Sequence, residues 1–194
     1  MEYITRLTPN SDKWKKPSGK KGKCCSNNST LYECQHDFGW EEWLLNDFWS
    51  KKERFKGFVQ AFNDRNTNVK SIERLHFYTR VCNSRTSKVN VYLGYIDNVN
   101  IFPIKDRALS KNEIKTRGTE LKKCGLVIPK DGMFNKAHNI QFNTSDVHML
   151  LMDEDEQYTL NLAQGQYRFA LYEINYKHKN IGNQIKRFKC TVKN

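Results

Sequence analysis

Strand-forming segments that follow one another, with few helices between them, set the architecture open to this chain. FKGFVQAF (55–62), RLHFYTR (74–80) and VNVYLGYI (89–96) combine β-branched and aromatic residues with partial alternation, the pattern of half-buried strands. YITRLT (3–8) precedes them, VNIFPI (99–104) extends the third, and HNIQF (138–142), YTLNL (158–162), YRFALYEINY (167–176) and IKRFKCTV (185–192) follow. Pro103 marks an edge or a strand end, because it lacks the N–H that a ladder needs. Gly165 and Gly182 read as hairpin-like turns. Two helices interrupt the series. WEEWLLNDFWS (40–50) puts Trp40, Trp43, Leu44 and Phe48 at helical spacing, with Glu41 and Glu42 in the first turn. Ser110 and Glu113 form a capping box ahead of a helix that ends near Gly125. This order predicts an α+β fold: a mixed, curved, β-barrel-like sheet with two or more flanking helices, built as one domain over residues 1–194. The strand-like end fits the N-terminal part of a longer protein.

Composition removes several classes. With 38% hydrophobic and 12% aromatic residues the chain can build a core, which excludes global disorder. No run of eighteen apolar residues exists, so no membrane partner is expected. MEYITRLT lacks the basic-then-apolar layout of a secretory signal. A cytoplasmic location follows as the expectation, with reduced thiols at Cys24, Cys25, Cys34, Cys82, Cys124 and Cys190. Cys24, Cys25, Cys34 and His36 lack the usual zinc spacing, and neither a metal nor another cofactor is expected.

Charge points towards polyanions. The net charge of +12 is unevenly placed, with seven Lys/Arg against two acids in residues 1–23 and none against five in residues 24–49. Residues 175–194 again carry six basic residues and no acid. Blocks of this kind predict one basic face assembled from several segments. The densest, KWKKPSGKKGK (13–23), surrounds Trp14 with Lys13, Lys15, Lys16, Lys20, Lys21 and Lys23. Lysines supply charge for phosphates and a tryptophan supplies a flat face for a base. A loop as long as Pro9–Cys34 inside a compact domain is functional or disordered, and Trp14 within it argues for function.

Enzyme signatures are absent. No GxxxxGK[ST], GxGxxG, GxSxG or HExxH occurs, and the adjacent acids of DEDE (153–156) read as a solvated turn. A binding site remains the better reading. Trp14, Trp40, Tyr78 and Tyr92 are candidate walls for a base, and Ser18, Glu41, Glu42 and Asn139 are candidate readers of its polar edge.

YITRLT, the W-x-x-PSG of Trp14–Gly19, FGWEEWL (38–44) and NIQF (139–142) together resemble a pattern in bacterial modification-dependent restriction systems. There it is similar to an N-terminal DNA-reading domain of the PUA-like superfamily, related to EVE, YTH, ASCH and SRA domains. The resemblance covers most of the chain loosely, and its specific parts are the first fifty residues and NIQF. It departs from the family at Trp40, where the family carries histidine. It implies a small curved barrel that reads a modified base, methylated or hydroxymethylated cytosine or methylated adenine, flipped into an aromatic pocket. The partner implied is double-stranded DNA carrying that base, with cleavage supplied by a separate nuclease domain or subunit of a defence system. By the resemblance Trp14 and Ser18 belong to the pocket loop, and Trp40, Glu41 and Glu42 start the matching helix. Tyr78 joins the pocket on its strand position alone. Three alternatives stay open: an RNA-modification reader of YTH type, a nuclease using the DEDE turn or His76, and a protein-interaction domain.

Overall fold

The computed structural model describes residues 1–20, 23, 25, 29–46, 53–62, 70–82, 88–102, 109–128, 138–149, 159–160, 162, 171–174 and 181–189. Among them, seven strands form a mixed sheet accompanied by three α-helices, an α+β arrangement. The strands are β1 (Glu2–Leu7), β2 (Arg54–Gly57), β3 (Ser71–Cys82), β4 (Lys88–Ile101), β5 (Ile140–Asn143), β6 (Val147–Met149) and β7 (Tyr172–Glu173). The helices are α1 (Tyr32–Gln35), α2 (Lys111–Lys123) and α3 (Ile181–Lys189). No described helix is long and apolar enough to cross a membrane.

The sheet runs β2-β5-β4-β3-β1-β7, with β6 also on β4. Its spine is the long antiparallel β3–β4 pair, whose register slips between Phe77 and Tyr78. Gly94, opposite Phe77, has φ +109°, a conformation few side chains tolerate, and it supplies the bulge at this slip. β1 lies parallel to β3, with Leu7 opposite Thr79, and antiparallel to β7. The terminal strands of this order, β2 and β7, do not pair with each other among the described residues, so the sheet is open there.

Three apolar clusters fill the interior. Leu7, Phe62, Leu75, Phe77, Ile96 and Phe142 are central to the first. Phe38, Trp40, Trp43, Phe58, Leu109 and Leu121 form the second, under α2. Ile4, Tyr78, Tyr92, Leu160, Ile174 and Ile185 form the third, under α3. Each fully buried aliphatic or aromatic side chain in them contributes about 1.5–3 kcal/mol.

Several sequence expectations hold: β1, the lengthened β3 and β4, β5, and the helix after Ser110, whose hydroxyl accepts from Glu113 N while the Glu113 side chain reaches back to Ser110 N. Gly125 follows α2 with φ +70°, the left-handed stop expected there. Others are corrected. Residues 185–192 were expected as a strand, but α3 occupies Ile181–Lys189 and includes Gly182. Its Ile181, Ile185 and Phe188, at spacings of four and three, face one way, and Phe188 stacks on Tyr92 at 5.1 Å. The helix expected over 40–50 is a short 3-10 turn at Trp40–Trp43, with 47–50 outside the described residues. Of 55–62, only the first part is strand, and Gln60–Phe62 is a 3-10 turn. YTLNL contributes one bridge, Thr159 to Val91, and Gly165 and the DEDE turn lie outside the described residues. Reduced thiols were expected, yet Cys25 and Cys34 form a disulfide and Cys82 is also disulfide-bonded. Cys124 is a free thiol.

Candidate nucleic-acid interface

The basic loop after β1 is held from beneath by a few polar side chains. Asn10 Oδ1 accepts from the backbone N–H groups of Asp12 (2.7 Å) and Trp14 (2.9 Å). This small side-chain turn accompanies left-handed backbone at Lys13 (φ +54°) and Trp14 (φ +57°). Trp14 is thereby turned inward. It is only 5% exposed, and its Nε1 donates to Thr8 O (3.0 Å) while its own carbonyl accepts from Leu45 N (2.8 Å). Asn46 Nδ2 then donates to Lys15 O at 2.6 Å, and Asn10 Nδ2 to Lys16 O at 2.8 Å.

Glu41 and Glu42 tie this loop to the Trp40–Trp43 turn. Glu42 accepts from Gly39 N (2.7 Å), Asn10 Nδ2 (2.6 Å), Ser18 N (2.8 Å) and Ser18 Oγ (3.1 Å), and it pairs with Lys23 Nζ at 3.0 Å. Lys23 also donates to Ser18 Oγ and to Gly19 O within the loop. Glu41 accepts from Thr8 N (2.6 Å), Thr8 Oγ1 (2.9 Å) and Gln60 N (3.0 Å). Burial pushes the Glu41 carboxyl up, against these hydrogen bonds. Gly39 must be glycine here, since a Cβ would stand 2.5 Å from Thr8 Oγ1.

With the loop pinned, its cations sort by position. Lys13, Lys16 and Lys20 are exposed, Lys15 is half-buried, and Lys21 lies outside the described residues. Lys16 lies 3.7 Å from Asp12 and Lys20 3.7 Å from Asp37, weak pairs at solvent-exposed positions. Lys23, expected at the phosphate surface, is instead buried against Glu42, with 2% of its side chain exposed. The last turn of α2 adds exposed Lys122 and Lys123. Cys124 Sγ donates to Pro17 O at 3.3 Å, joining this helix end to the loop. Burial pushes the Cys124 thiol up, and Lys16 is near enough to oppose it. Lys16 and the Lys122–Lys123 pair therefore lie at the same end of α2.

The expected base pocket is divided among three places. Trp14, Ser18, Glu41 and Glu42 are gathered beneath the loop. Trp40 sits in the aromatic cluster under α2, with ring centroids 5.3 Å from Phe38 and 5.9 Å from both Tyr32 and Trp43. A base sandwiched between rings needs roughly 7 Å, twice the van der Waals contact. Tyr78 belongs to the cluster under α3 and is 2% exposed; Tyr92 beside it, 1% exposed, is bonded through its hydroxyl to His76 Nδ1 (2.7 Å). His76, also bonded to Glu2 at 3.0 Å, is fully buried. Asn139 closes both its amide atoms on Val59 backbone at 2.8 Å.

Features that sequence reasoning missed are Asn10, Lys122, Lys123 and two arginines on adjacent strands. Arg6 of β1 and Arg80 of β3 line a cavity of about 80 Å3 with Lys23, Glu33 and Cys34. Alternation along the strands is the only signal that could have placed the two arginines on one face. A third arginine, Arg117, is 3% exposed in α2, with its guanidinium 4.8 Å from the Trp43 ring centroid. Desolvation pulls it down to about 10 against the pull of Glu113 and Glu120. No group of three or more metal-type ligands gathers among the described residues. Comparison with protein-family models, with curated proteins and with solved structures returns no match to this chain.

Proposed function

We propose that this chain is a nucleic-acid-binding module that meets the phosphate backbone with the lysines of its pinned loop and of the α2 end. The observation that carries the reading is the junction at Pro17 and Cys124. It places Lys16 beside the thiol that follows Lys122 and Lys123. A basic loop fixed by buried carboxylates loses little entropy on binding, which favours affinity over a freely moving one.

The finer reading is a DNA module that recognises a modified base, methylated or hydroxymethylated cytosine or methylated adenine, as the specificity part of a bacterial defence system. It rests on the resemblance carried by Trp14–Gly19, Phe38–Leu44 and Asn139–Phe142, and it includes a PUA-like, barrel-like frame and a separate cleaving partner. Because Trp14 and Trp40 are packed inward, this reading requires the loop to open before a base can reach them.

The test is binding of the chain to one short duplex, unmodified, cytosine-modified or adenine-methylated, across a salt series. The coarser reading expects affinity that falls steeply with salt, with a log–log slope reduced by about 1 per phosphate contact removed in Lys16→Gln or Lys122→Gln. The finer reading expects one modified duplex to bind more tightly than the plain one; equal affinities would sink it. Stronger binding of single-stranded RNA than of any duplex would move the assignment to RNA. No binding to any of them would end both.

A further inference from the structure

Beneath the basic loop, the parallel strands β1 and β3 bring two guanidinium groups to one cavity. Arg6 stands opposite Tyr78 in the β1–β3 register, and Arg80, two residues on, emerges on the same face of the sheet. Both line the cavity of about 80 Å3, with Lys23 at its wall. That space compares with the roughly 10–15 Å3 a single water needs, so it admits a group of several heavy atoms.

The charges there are incompletely matched. Lys23 is paired with Glu42 at 3.0 Å. Arg80 is fixed by donating from Nε to Asn90 Oδ1 at 3.1 Å. The buried Nε of Arg6 has no hydrogen-bond partner. Glu41, close enough to act on Arg6, is already taken by Thr8 and Gln60. Glu33 puts one carboxylate into the wall. Desolvation first and then the neighbouring Arg80 pull Arg6 below its ordinary value, against the opposing influence of Tyr78 and Glu41. A buried guanidinium donor left unused is costly, and an oxyanion beside Arg6 would fill the vacancy at its Nε and screen it from Arg80. The planar fork of arginine matches the oxygens of phosphate better than any other side chain does.

We propose that this cavity is a binding site for a single phosphate-type oxyanion, held by Arg6 and Arg80 with Lys23 at its edge. It is a discrete site, separate from the exposed lysines of the loop and of α2. The same chemistry would accept free phosphate or the terminal phosphate of an oligonucleotide.

Titration calorimetry of the full chain with inorganic phosphate, at ionic strength held constant with sodium chloride, tests the site. Saturable one-to-one binding is expected, weakened at least tenfold in Arg6→Gln and in Arg80→Gln and unchanged in the exposed control Lys70→Gln. Arg6→Lys keeps the charge, so it guards against a misfolded Arg6→Gln; it should fold and still lose most of the affinity, because a point charge replaces the fork. Phosphate should raise the Tm of the wild-type chain and not that of Arg80→Gln. Absence of saturable binding, or equal affinity in wild type and both glutamine variants, overturns the proposal.

A second arm separates the sources. Oligonucleotides with a 5′-phosphate or a 5′-hydroxyl are compared on wild type and Arg80→Gln. A preference for the phosphorylated end that Arg80→Gln abolishes assigns the site to a nucleic-acid terminus, and phosphate binding without such a preference assigns it to a free oxyanion. Loss of duplex binding with phosphate binding intact would sink only the nucleic-acid reading.

Discussion

Lys23 and Glu42 form an ion pair of 3.0 Å in which neither side chain is more than 2% exposed. The two partners are not equivalent. Glu42 receives four further hydrogen bonds, from Gly39 N, Asn10 Nδ2, Ser18 N and Ser18 Oγ, whereas Lys23 has two further acceptors, Ser18 Oγ and Gly19 O, both neutral. Glu42→Ala strands a buried cation and several donors at once, and a loss of about 3–5 kcal/mol is expected. Lys23→Met leaves the carboxylate with its other donors and should cost less. Urea unfolding of the two variants measures the order, and a Lys23→Met loss as large as that of Glu42→Ala would contradict it.

Trp14 anchors the loop from inside. Trp14→Ala should destabilise the chain by about 3–5 kcal/mol, as other large aromatic truncations in cores do. Trp14→Phe keeps most of the packing and forfeits the hydrogen bond to Thr8 O, a loss of about 1 kcal/mol. Comparing nucleic-acid binding in the folded Trp14→Phe variant separates the two roles of the ring. A changed preference among modified duplexes without loss of stability would show that the ring meets the base.

The Cys25–Cys34 disulfide closes a short loop, with a sequence separation of 9. Loop-closure entropy gives such a bridge about 2–3 kcal/mol. Cys34→Ala should lower Tm accordingly, and the substitution is a cleaner probe than reductant because Cys82 is disulfide-bonded as well. An unchanged Tm in Cys34→Ala would mean that the bridge contributes nothing to the folded chain.

Acid should act on the start of α2. Burial raises the Glu113 carboxyl, but hydrogen bonds from His138 and Ser110 outweigh it and hold the group at about 2. Burial pulls His138 down while Glu113 opposes it. Ser110 donates whether or not His138 is protonated, so the Glu113 direction is the one that governs. A folded-state value below the ordinary 4.5 means the stabilisation is complete above pH 4.5 and is lost as pH falls from there towards 2. Stability curves for wild type and Glu113→Gln should therefore converge on acidification through that window; a constant gap would refute the assignment.

The parts of the fold that could be read in advance are those where local chemistry and global fold agree. The Ser110–Glu113 box and Gly125 frame α2 in the sequence as they do in space, and alternation in RLHFYTR and VNVYLGYI marks the central hairpin. IKRFKCTV misled because Ile185 and Phe188 are three apart, a spacing that suits a helix face only when Ile181 is counted with them. Lys13, Lys16 and Lys20 proved exposed as expected, since nothing inside the protein can satisfy so many cations. The roles of Glu41 and Glu42 could not be read, because their partners Thr8, Asn10 and Ser18 are brought to them by backbone geometry far along the chain. Arg6 and Arg80 were invisible as a pair for the same reason: only the parallel register of β1 on β3 makes them neighbours.

That register also dictates an order of assembly. Leu7 meets Thr79, 72 positions later, and Tyr3 meets Glu173 on its other side. On a ribosome the first strand emerges long before either neighbour exists, so it must wait while the β3–β4 hairpin, the most local pairing in the sheet, closes first. The pinned loop that follows β1 finds Glu42 and Asn46 within the first fifty residues, but its junction with Lys122 and Lys123, made by Cys124 on Pro17, waits until α2 has been synthesised.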